Sequence, residues 1–321
     1  MYSLRKIFNP SLFQGSLKYT SYFEGWYFKH VAANNDDTFA VIPGISLSVD
    51  SHAFIQFVDG VSGTSWYFRY DLEDFSTDRR RFFIRIGDSV FTSNCIGLKL
   101  KGNNIKINGK IEYTDMVTLR PTVLRPGIMG WYSYVPGMEC NHGVLSLNHF
   151  LAGSLYINGR KKSFSGGKGY IEKDWGTSFP ESWIWMQCNN FSDEYISVMI
   201  SVAKIPWKNT FFIGFIAFML VREKTEIFAT YNHSKIEYLR KTSQNRTEIL
   251  LSKRGKKLKA VITGKESASV HAPVDGQMIN RIKESISSEV TIEYSDKGRI
   301  IFSGCGTRAG FEENEGIYKY F

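Results

Sequence analysis

Short apolar runs separated by turn residues recur along this chain, and they constrain its fold more than any other feature. Asn158-Gly159 follows the apolar run 155–157, and Asn108-Gly109 stands between the runs 105–107 and 110–113. An Asn-Gly pair between such runs is a strong hairpin signal, because both residues readily adopt positive φ. Two hairpins are predicted here.

The C-terminal half repeats the pattern. Runs 248–251 and 258–262 flank a basic turn that contains Gly255, and runs 290–294 and 300–302 flank Asp296-Lys297-Gly298. Both are predicted to be hairpins.

Two other segments carry different signals. The apolar run 211–221 is about half the length needed to span a bilayer, so it is predicted to be a buried strand. Only 276–288 shows helical spacing, with Met278, Ile282 and Ile286 four residues apart, and it predicts one short helix.

Many short antiparallel strands with few helices favour a mainly β protein built from closed barrels or sandwiches. The 24 Phe, 17 Tyr and 7 Trp in 321 residues are typical of such proteins. The length allows two domains, and Pro180 predicts a boundary that leaves β-barrel domains at 1–179 and 180–321. The functional site is expected where the halves meet, a common location for pockets.

The formal net charge of +9 comes from short basic clusters at predicted turns, such as Arg79-Arg80-Arg81. An ordinary solvated surface is the first interpretation and peripheral contact with an anionic membrane the second. No nucleic-acid motif accompanies the charge, so nucleic acid is not a predicted partner.

Four widely spaced cysteines form no paired motif, which indicates a reduced, intracellular protein. No signal peptide or transmembrane helix is recognised. These features predict a cytoplasmic protein.

Acidic, basic and aromatic side chains lie close together in the segment 169–176. In an extended strand, alternation places Tyr170, Glu172 and Asp174 on one face, with Lys173 and Trp175 on the other. In 183–189 the same rule gives a polar and aromatic face and a core face. The first consists of Trp183, Trp185, Gln187 and Asn189, and the second of Ile184, Met186 and Cys188.

Together with other blocks in the chain, these segments resemble the tocopherol cyclase family. The further blocks are SYFEGWYFK (21–29), IPGI (42–45), HAFIQ (52–56), GIMGWY (127–132), ECNHG (139–143), LNH (147–149) and GTRAGFE (306–312). The resemblance implies paired lipocalin-like barrels and closure of a chromanol ring on a prenylated hydroquinone. The expected partner is therefore a hydrophobic small molecule. The absence of any dinucleotide or phosphate-loop motif agrees with a redox-neutral, cofactor-free reaction.

Such a ring closure needs a proton donor for an alkene. A carboxylic acid crowded by a second carboxylate can remain protonated, so Asp174 is predicted to be the donor and Glu172 the residue that tunes it. Alternatively, Asp174 caps a turn or pairs with Lys173. Glu24 is the second candidate acid, because alternation places it on an aromatic face.

Indole faces stabilise a developing cation, which suggests roles for Trp175, Trp183 and Trp185. Core packing is the alternative for each of them. The remaining substrate-binding candidates are Trp26, Trp131, His52, Gln187 and Asn189.

His142 and His149 are candidate bases for the phenolic proton, with structural roles as the alternative. Together with Glu139 they have the side-chain types of a set of metal ligands. No short ligand spacing supports such a site, and no metal is predicted.

Two other functions remain open. One is a related hydration or cyclisation of another polyene, and the other is a non-enzymatic, lipocalin-like carrier of lipids or isoprenoids, in which the acids are structural. Fold does not decide between these, because function depends on the site.

Overall fold

The computed structural model describes residues 4–321, and nearly all of its regular structure is antiparallel β-strand. The predicted mainly β class is confirmed. The helical elements are α1 (Leu4–Ile7) and four short 3₁₀ helices, Leu72–Asp74, Gly130–Tyr134, Thr230–Asn232 and Glu315–Tyr320.

The first sheet contains twelve strands. They are β1 (Tyr22–Val31), β2 (Thr38–Leu47), β3 (His52–Asp59), β4 (Thr64–Tyr70), β5 (Phe75–Thr77), β6 (Phe83–Ile86), β7 (Ser89–Thr92), β8 (Cys95–Lys101), β9 (Lys106–Val117), β10 (Cys140–Ile157), β11 (Arg160–Ser163) and β12 (Lys168–Gly176). The order is β4-β3-β2-β1-β12-β10-β9-β8-β7-β6-β5, with β11 paired to β10. Strand β12 therefore lies between β1 and β10.

The second sheet contains ten strands. They are β13 (Trp183–Cys188), β14 (Ile196–Trp207), β15 (Thr210–Val221), β16 (Lys224–Ala229), β17 (Lys235–Ser243), β18 (Arg246–Lys253), β19 (Lys256–Thr263), β20 (Ala268–Val274), β21 (Gln277–Asp296) and β22 (Arg299–Glu313). The order is β16-β15-β14-β13-β22-β21-β19-β18-β17, with β20 paired to β21.

Each sheet encloses its own hydrophobic core. In the first, Trp26 and Phe28 of β1 and Phe57 of β3 are fully buried together with apolar side chains of β6 to β9. In the second, Ile184 and Met186 of β13 are part of the core, as alternation predicts. The run 211–221 is the strand β15, as predicted, with its central residues buried.

The chain divides into two compact units. One comprises the residues up to 179 together with 270–282, and the other comprises 180–269 and 283–321. Within the first unit, the amide of Gln56 bonds to the backbone of His271, and Ser46 donates to the carbonyl of Gly276. A division into folding domains at 179 and 180 stays a prediction.

Three of the predicted hairpins are present. Asn158 and Gly159 connect β10 to β11 with φ of 49° and 80°, values expected for a two-residue turn with both φ positive. The turns at Gly255 and Gly298 connect β18 to β19 and β21 to β22 in the same way.

The hairpin predicted at Asn108-Gly109 is wrong. Both residues lie inside β9, and the chain turns earlier, where the amide of Gly102 donates to the carbonyl of Ile105. Gly109 has φ of 145° and lies against the backbone of β10. Its missing Cβ lets β9 and β10 approach closely, and it does not form a turn.

The helix predicted at 276–288 is also wrong, because this segment is part of β21. A spacing of four residues is a multiple of two, so Met278, Ile282 and Ile286 fit one strand face as well as one helix face.

No helix within residues 4–321 is long and apolar enough to cross a membrane. The described cysteines are all free thiols.

Replacing Gly109 with alanine should destabilise the protein. The added Cβ would lie 2.3 Å from the carbonyl oxygen of Ser154, at a φ that L-residues rarely adopt. We expect a loss of about 2–4 kcal/mol in the free energy of unfolding, measured by denaturant titration. Gly97→Ala in the adjacent β8 is the matched control, because its Cβ would meet nothing within 4 Å. Equal stability of the two variants would contradict this account of Gly109.

Candidate active site on strand β12

Strand β12 carries charged side chains on both of its faces. Pairing with β1 on one side and β10 on the other places Asp174 opposite both Gly25 and His142, and Glu172 opposite both Tyr27 and Val144. Because residues directly opposite each other share a face, Glu172, Asp174 and His142 belong to one side of the sheet. The predicted common face of the two carboxylates is observed.

The His142 imidazole lies between these carboxylates. Its Nδ1 is 2.9 Å from Oδ1 of Asp174, and its Nε2 is 3.4 Å from Oε2 of Glu172. We refer to these three residues as the triad. Asp174 is the most accessible member, with 24% of its side chain exposed, whereas Glu172 is almost completely buried.

The two carboxylates determine the protonation state of the imidazole. Burial alone would lower the pKa of His142, but the charges of Asp174 and Glu172 and the hydrogen bond to Asp174 outweigh it and raise the pKa to about 10. His142 is therefore an imidazolium at neutral pH, and the triad carries a proton next to an accessible carboxylate.

Tyrosines lie beside the triad. The hydroxyl of Tyr170 donates to Oε2 of Glu172 at 2.6 Å, and burial and the Glu172 charge raise the pKa of this phenol well above its usual value. Tyr27 lies opposite Glu172 on β1 and faces the same side.

The other face of β12 contains a fully buried ion pair. Nζ of Lys173 lies 2.5 Å from Oε1 of Glu24, and it also donates to the carbonyls of Pro10 and Leu12. Burial lowers the pKa of Lys173 to about 8, against the opposing effect of Glu24. The ammonium therefore points away from the triad, as alternation predicts.

Glu24 accepts hydrogen bonds from several donors besides Lys173. They are the amides of Gln14 and Gly15 and the hydroxyl of Tyr22. These contacts attach the N-terminal segment 9–15 to the sheet. The arrangement is that of a structural ion pair.

Trp26 and Trp175 bracket the Lys173 ammonium, with their ring centroids 4.7 and 4.8 Å from Nζ. Both indoles lie on the face opposite the triad, where they stabilise the lysine by cation–π contacts. The structure does not place either of them beside Asp174.

The three candidate histidines lie in three different environments. His149 is buried on the core side of the sheet, where its Nδ1 bonds to Ser146 and its ring packs on Tyr113. Burial lowers the pKa of His149 to about 3. His52 bonds through Nε2 to the hydroxyl of Tyr67 and through Nδ1 to the carbonyl of Asp50.

The metal set considered from sequence, His142 with His149 and Glu139, therefore does not assemble. Ligand atoms of His142, Glu172 and Asp174 lie within 4.8 Å of one another, which is close enough for three metal ligands. A metal bound there would have to displace the proton that these carboxylates hold on His142.

The remaining candidates lie elsewhere. Trp183, Trp185 and Gln187 are buried on β13 in the second unit, where the indole of Trp183 donates to Glu312, and Asn189 follows directly after the strand. Trp131 lies in the 3₁₀ helix Gly130–Tyr134 and is 45% exposed.

A cavity of about 240 Å³ opens in the first unit and is mainly apolar. Phe8, Phe82, Met116, Leu145 and Ile171 are among the residues that line it. Ile171 precedes Glu172 on β12, so the cavity and the triad are adjacent to opposite faces of this strand. Val144, which pairs with Glu172, also lines the cavity.

Comparison with known proteins identifies the family. A model of the family described as tocopherol cyclase-like matches residues 119–313, more than half of the chain. The chain belongs to the tocopherol cyclase-like family. The matched range includes all three triad residues, whereas the block at 21–29 lies outside it.

Curated relatives match over a much shorter stretch. The chain is 31% identical over 74 residues to a probable chloroplastic tocopherol cyclase of Oryza sativa subsp. japonica, and 30% identical over 74 residues to the chloroplastic tocopherol cyclase of Zea mays. Each match covers 23% of this chain and 16% of the relative. The alignment thus spans about a sixth of the curated relatives.

Solved structures share the fold at low identity. CghA gives a TM-score of 0.59 at 12% identity, over 91% of this chain and 88% of the other. A putative AttH from Nitrosomonas europaea gives 0.54 at 12% identity, over 91% and 92%. Kievitone hydratase from Nectria haematococca gives 0.51 at 10%, over 94% and 93%.

Sequence reasoning named all three triad residues and paired Glu172 with Asp174, but it did not connect His142 to them. The signal that could have connected them is strand pairing, because His142 lies in a run that pairs with 168–176. Tyr170 and Tyr27 were not candidates, although alternation already placed Tyr170 with Glu172.

Replacing Lys173 with methionine should leave a carboxylate buried without its cation. We expect a loss of about 3–5 kcal/mol in the free energy of unfolding. Lys162→Met removes a partly exposed pair with Asp37 and should cost less than about 1 kcal/mol. Glu24→Gln combined with Lys173→Met should recover part of the loss. If Lys173→Met proves as mild as Lys162→Met, the ion pair does not stabilise the fold.

The pKa of His142 predicts a pH-dependent stability. Its folded value of about 10 lies above the unfolded value of 6.5, so the stabilisation is complete below pH 6.5 and is lost as the pH rises through 10. Thermal unfolding of wild type and His142→Gln between pH 6 and 10 should show a difference of a few kcal/mol that shrinks at high pH. A difference that is constant across this range would contradict the raised pKa.

Proposed function

We propose that this protein is a tocopherol cyclase-like enzyme that closes a ring on a prenylated phenol or hydroquinone by protonating its alkene. The observation that carries the proposal is the imidazole of His142 held between two carboxylates, one of them partly exposed. Family membership supports the choice of substrate class.

The chemistry requires a strong local acid and then a base. An isolated alkene is a weak base, so the proton donor must be held directly against it in the site. The tertiary cation is then captured by the phenolic oxygen, which loses its own proton. One C–H and one C–O bond form, the alkene π bond and the O–H bond are consumed, and the product is an isomer of the substrate.

Accessibility and charge assign the roles within the triad. Asp174 is the proton donor, because it is the member that a substrate can touch, and His142 supplies its proton through Nδ1. Glu172 and His142 are positioning residues, since Glu172 balances the imidazolium and orients it. The phenolic proton returns to the triad and replaces the one that was donated.

Exposure of the site favours a second candidate reaction, hydration. Because Asp174 is 24% exposed, water has access to the position where the cation forms. Capture by water instead of a phenol would give a product heavier by one water molecule, so mass analysis separates a hydratase from a cyclase.

Incubation of the purified protein with a short-chain prenylated hydroquinone, without added cofactor, tests the proposal. Wild type should yield an isomeric chromanol, and Asp174→Asn should lower turnover by about 10²- to 10⁴-fold while affinity, followed by tryptophan quenching, is kept. Asp88→Asn is the matched control, because that carboxylate forms an exposed pair with Lys99.

Other results separate the remaining functions. Saturable quenching without product would favour an isoprenoid carrier. A hydrated product that depends on Asp174 would favour the hydratase. Unchanged turnover in Asp174→Asn would rule out Asp174 as the donor.

A further inference from the structure

We propose that the connection between β9 and β10 docks the protein on an anionic lipid bilayer through residues 120–126, here called the docking loop. This inference concerns a surface of the first unit and is independent of the reaction assigned to the triad.

The tip of the docking loop presents two aliphatic side chains to solvent. Val123 is 75% exposed and Leu124 is 82% exposed. Backbone hydrogen bonds in both directions between Thr122 and Arg125 close the turn, and the hydroxyl of Tyr134 donates to the carbonyl of Val123 at 2.7 Å. The turn is therefore held in a shape that keeps its apolar side chains outward.

Basic residues flank this apolar tip. Arg120 is exposed and Arg125 half-buried, and the guanidinium of Arg125 bonds to the carbonyl of Arg120. Aliphatic side chains next to arginines suit a bilayer surface, where the first enter the acyl boundary and the second meet phosphates.

A second basic turn lies at the same rim. Phe82 lines the 240 Å³ cavity together with Pro121 and Pro126, which bracket the tip of the docking loop. Arg79, Arg80 and Arg81 precede Phe82 and are all exposed. Asp78 is engaged by the side chain of Arg81 and the amide of Arg80, so the turn remains net positive.

Exposed aromatic side chains complete the surface. Trp131 and Tyr134, in the 3₁₀ helix that follows the docking loop, are both exposed, and the indole of Trp131 stacks on Tyr132 with centroids 4.0 Å apart. Tryptophan and tyrosine are enriched at the depth of lipid headgroups. Trp131 is thereby assigned to this surface in place of the substrate pocket.

The size of the apolar tip favours a bilayer over a protein partner. A stable protein interface buries roughly 1,200–2,000 Å² and needs a broad apolar core. Two aliphatic side chains fall short of that, whereas a charged membrane adds attraction from every arginine near its surface.

Vesicle co-sedimentation of the full chain tests the proposal. We expect binding to vesicles of equimolar phosphatidylcholine and phosphatidylglycerol, and weaker binding to pure phosphatidylcholine. The double variant Val123→Asn/Leu124→Asn should lower the partition coefficient at least about tenfold, since it removes the inserted apolar surface. Arg120→Gln should weaken binding to the anionic vesicles only.

A matched control replaces exposed valines elsewhere in the same unit. Val49, between β2 and β3, is 94% exposed, and Val61, between β3 and β4, is also exposed. The double variant Val49→Asn/Val61→Asn should bind as wild type does. All variants should show wild-type thermal unfolding, because these side chains are exposed.

Three results would overturn the proposal. They are no association of wild type with anionic vesicles, equal loss in the two double variants, and a change in oligomeric state caused by Val123→Asn/Leu124→Asn. The last would identify the docking loop as a contact between protein copies. None of these results depends on whether Asp174 is a proton donor.

Discussion

The free energy required to bury charge governs the arrangement of groups around β12. Glu172 and Asp174 on one face are balanced by the imidazolium of His142, and Lys173 on the other face is balanced by Glu24. Each group would be costly without its partner. Since the partners come from β1 and β10, the strand can be buried only when both neighbours are in place.

Alternation along a strand is a local property, so the sequence alone could predict the two faces of β12. The contribution of His142 depends on the register between β10 and β12, which no short segment contains. Strand β10 also has irregularities between 144 and 149, and His149 ends up on the core side of the sheet. The two irregularities together shift the register by two residues, so His142 and His149, which are seven residues apart, lie on opposite faces as regular alternation predicts.

An Asn-Gly pair correctly predicted a hairpin only where the two segments that flank it pair with each other. Asn158-Gly159 lies between strands that pair directly, and the hairpin forms. Asn108-Gly109 has the same composition, but Gly109 is opposite Leu155 in the middle of a ladder, where the missing Cβ admits a close backbone approach. Segment 276–288 was ambiguous for a simpler reason, since its apolar spacing fits a helix and a strand equally.

The pairing of β1 with β12 has a consequence for synthesis of the chain on the ribosome. Strand β1 is made well before β12, yet one of its two partner edges is supplied only when β12, which ends at residue 176, has been made. Until then Trp26 and Phe28, which are fully buried in the finished sheet, lack the neighbouring residues of β12. Non-local pairing of this kind folds slowly and leaves apolar edges accessible. The edge of β1 that β12 later covers therefore stays open while more than a hundred further residues are made, and this is the stage at which the first half of the chain is most prone to aggregation.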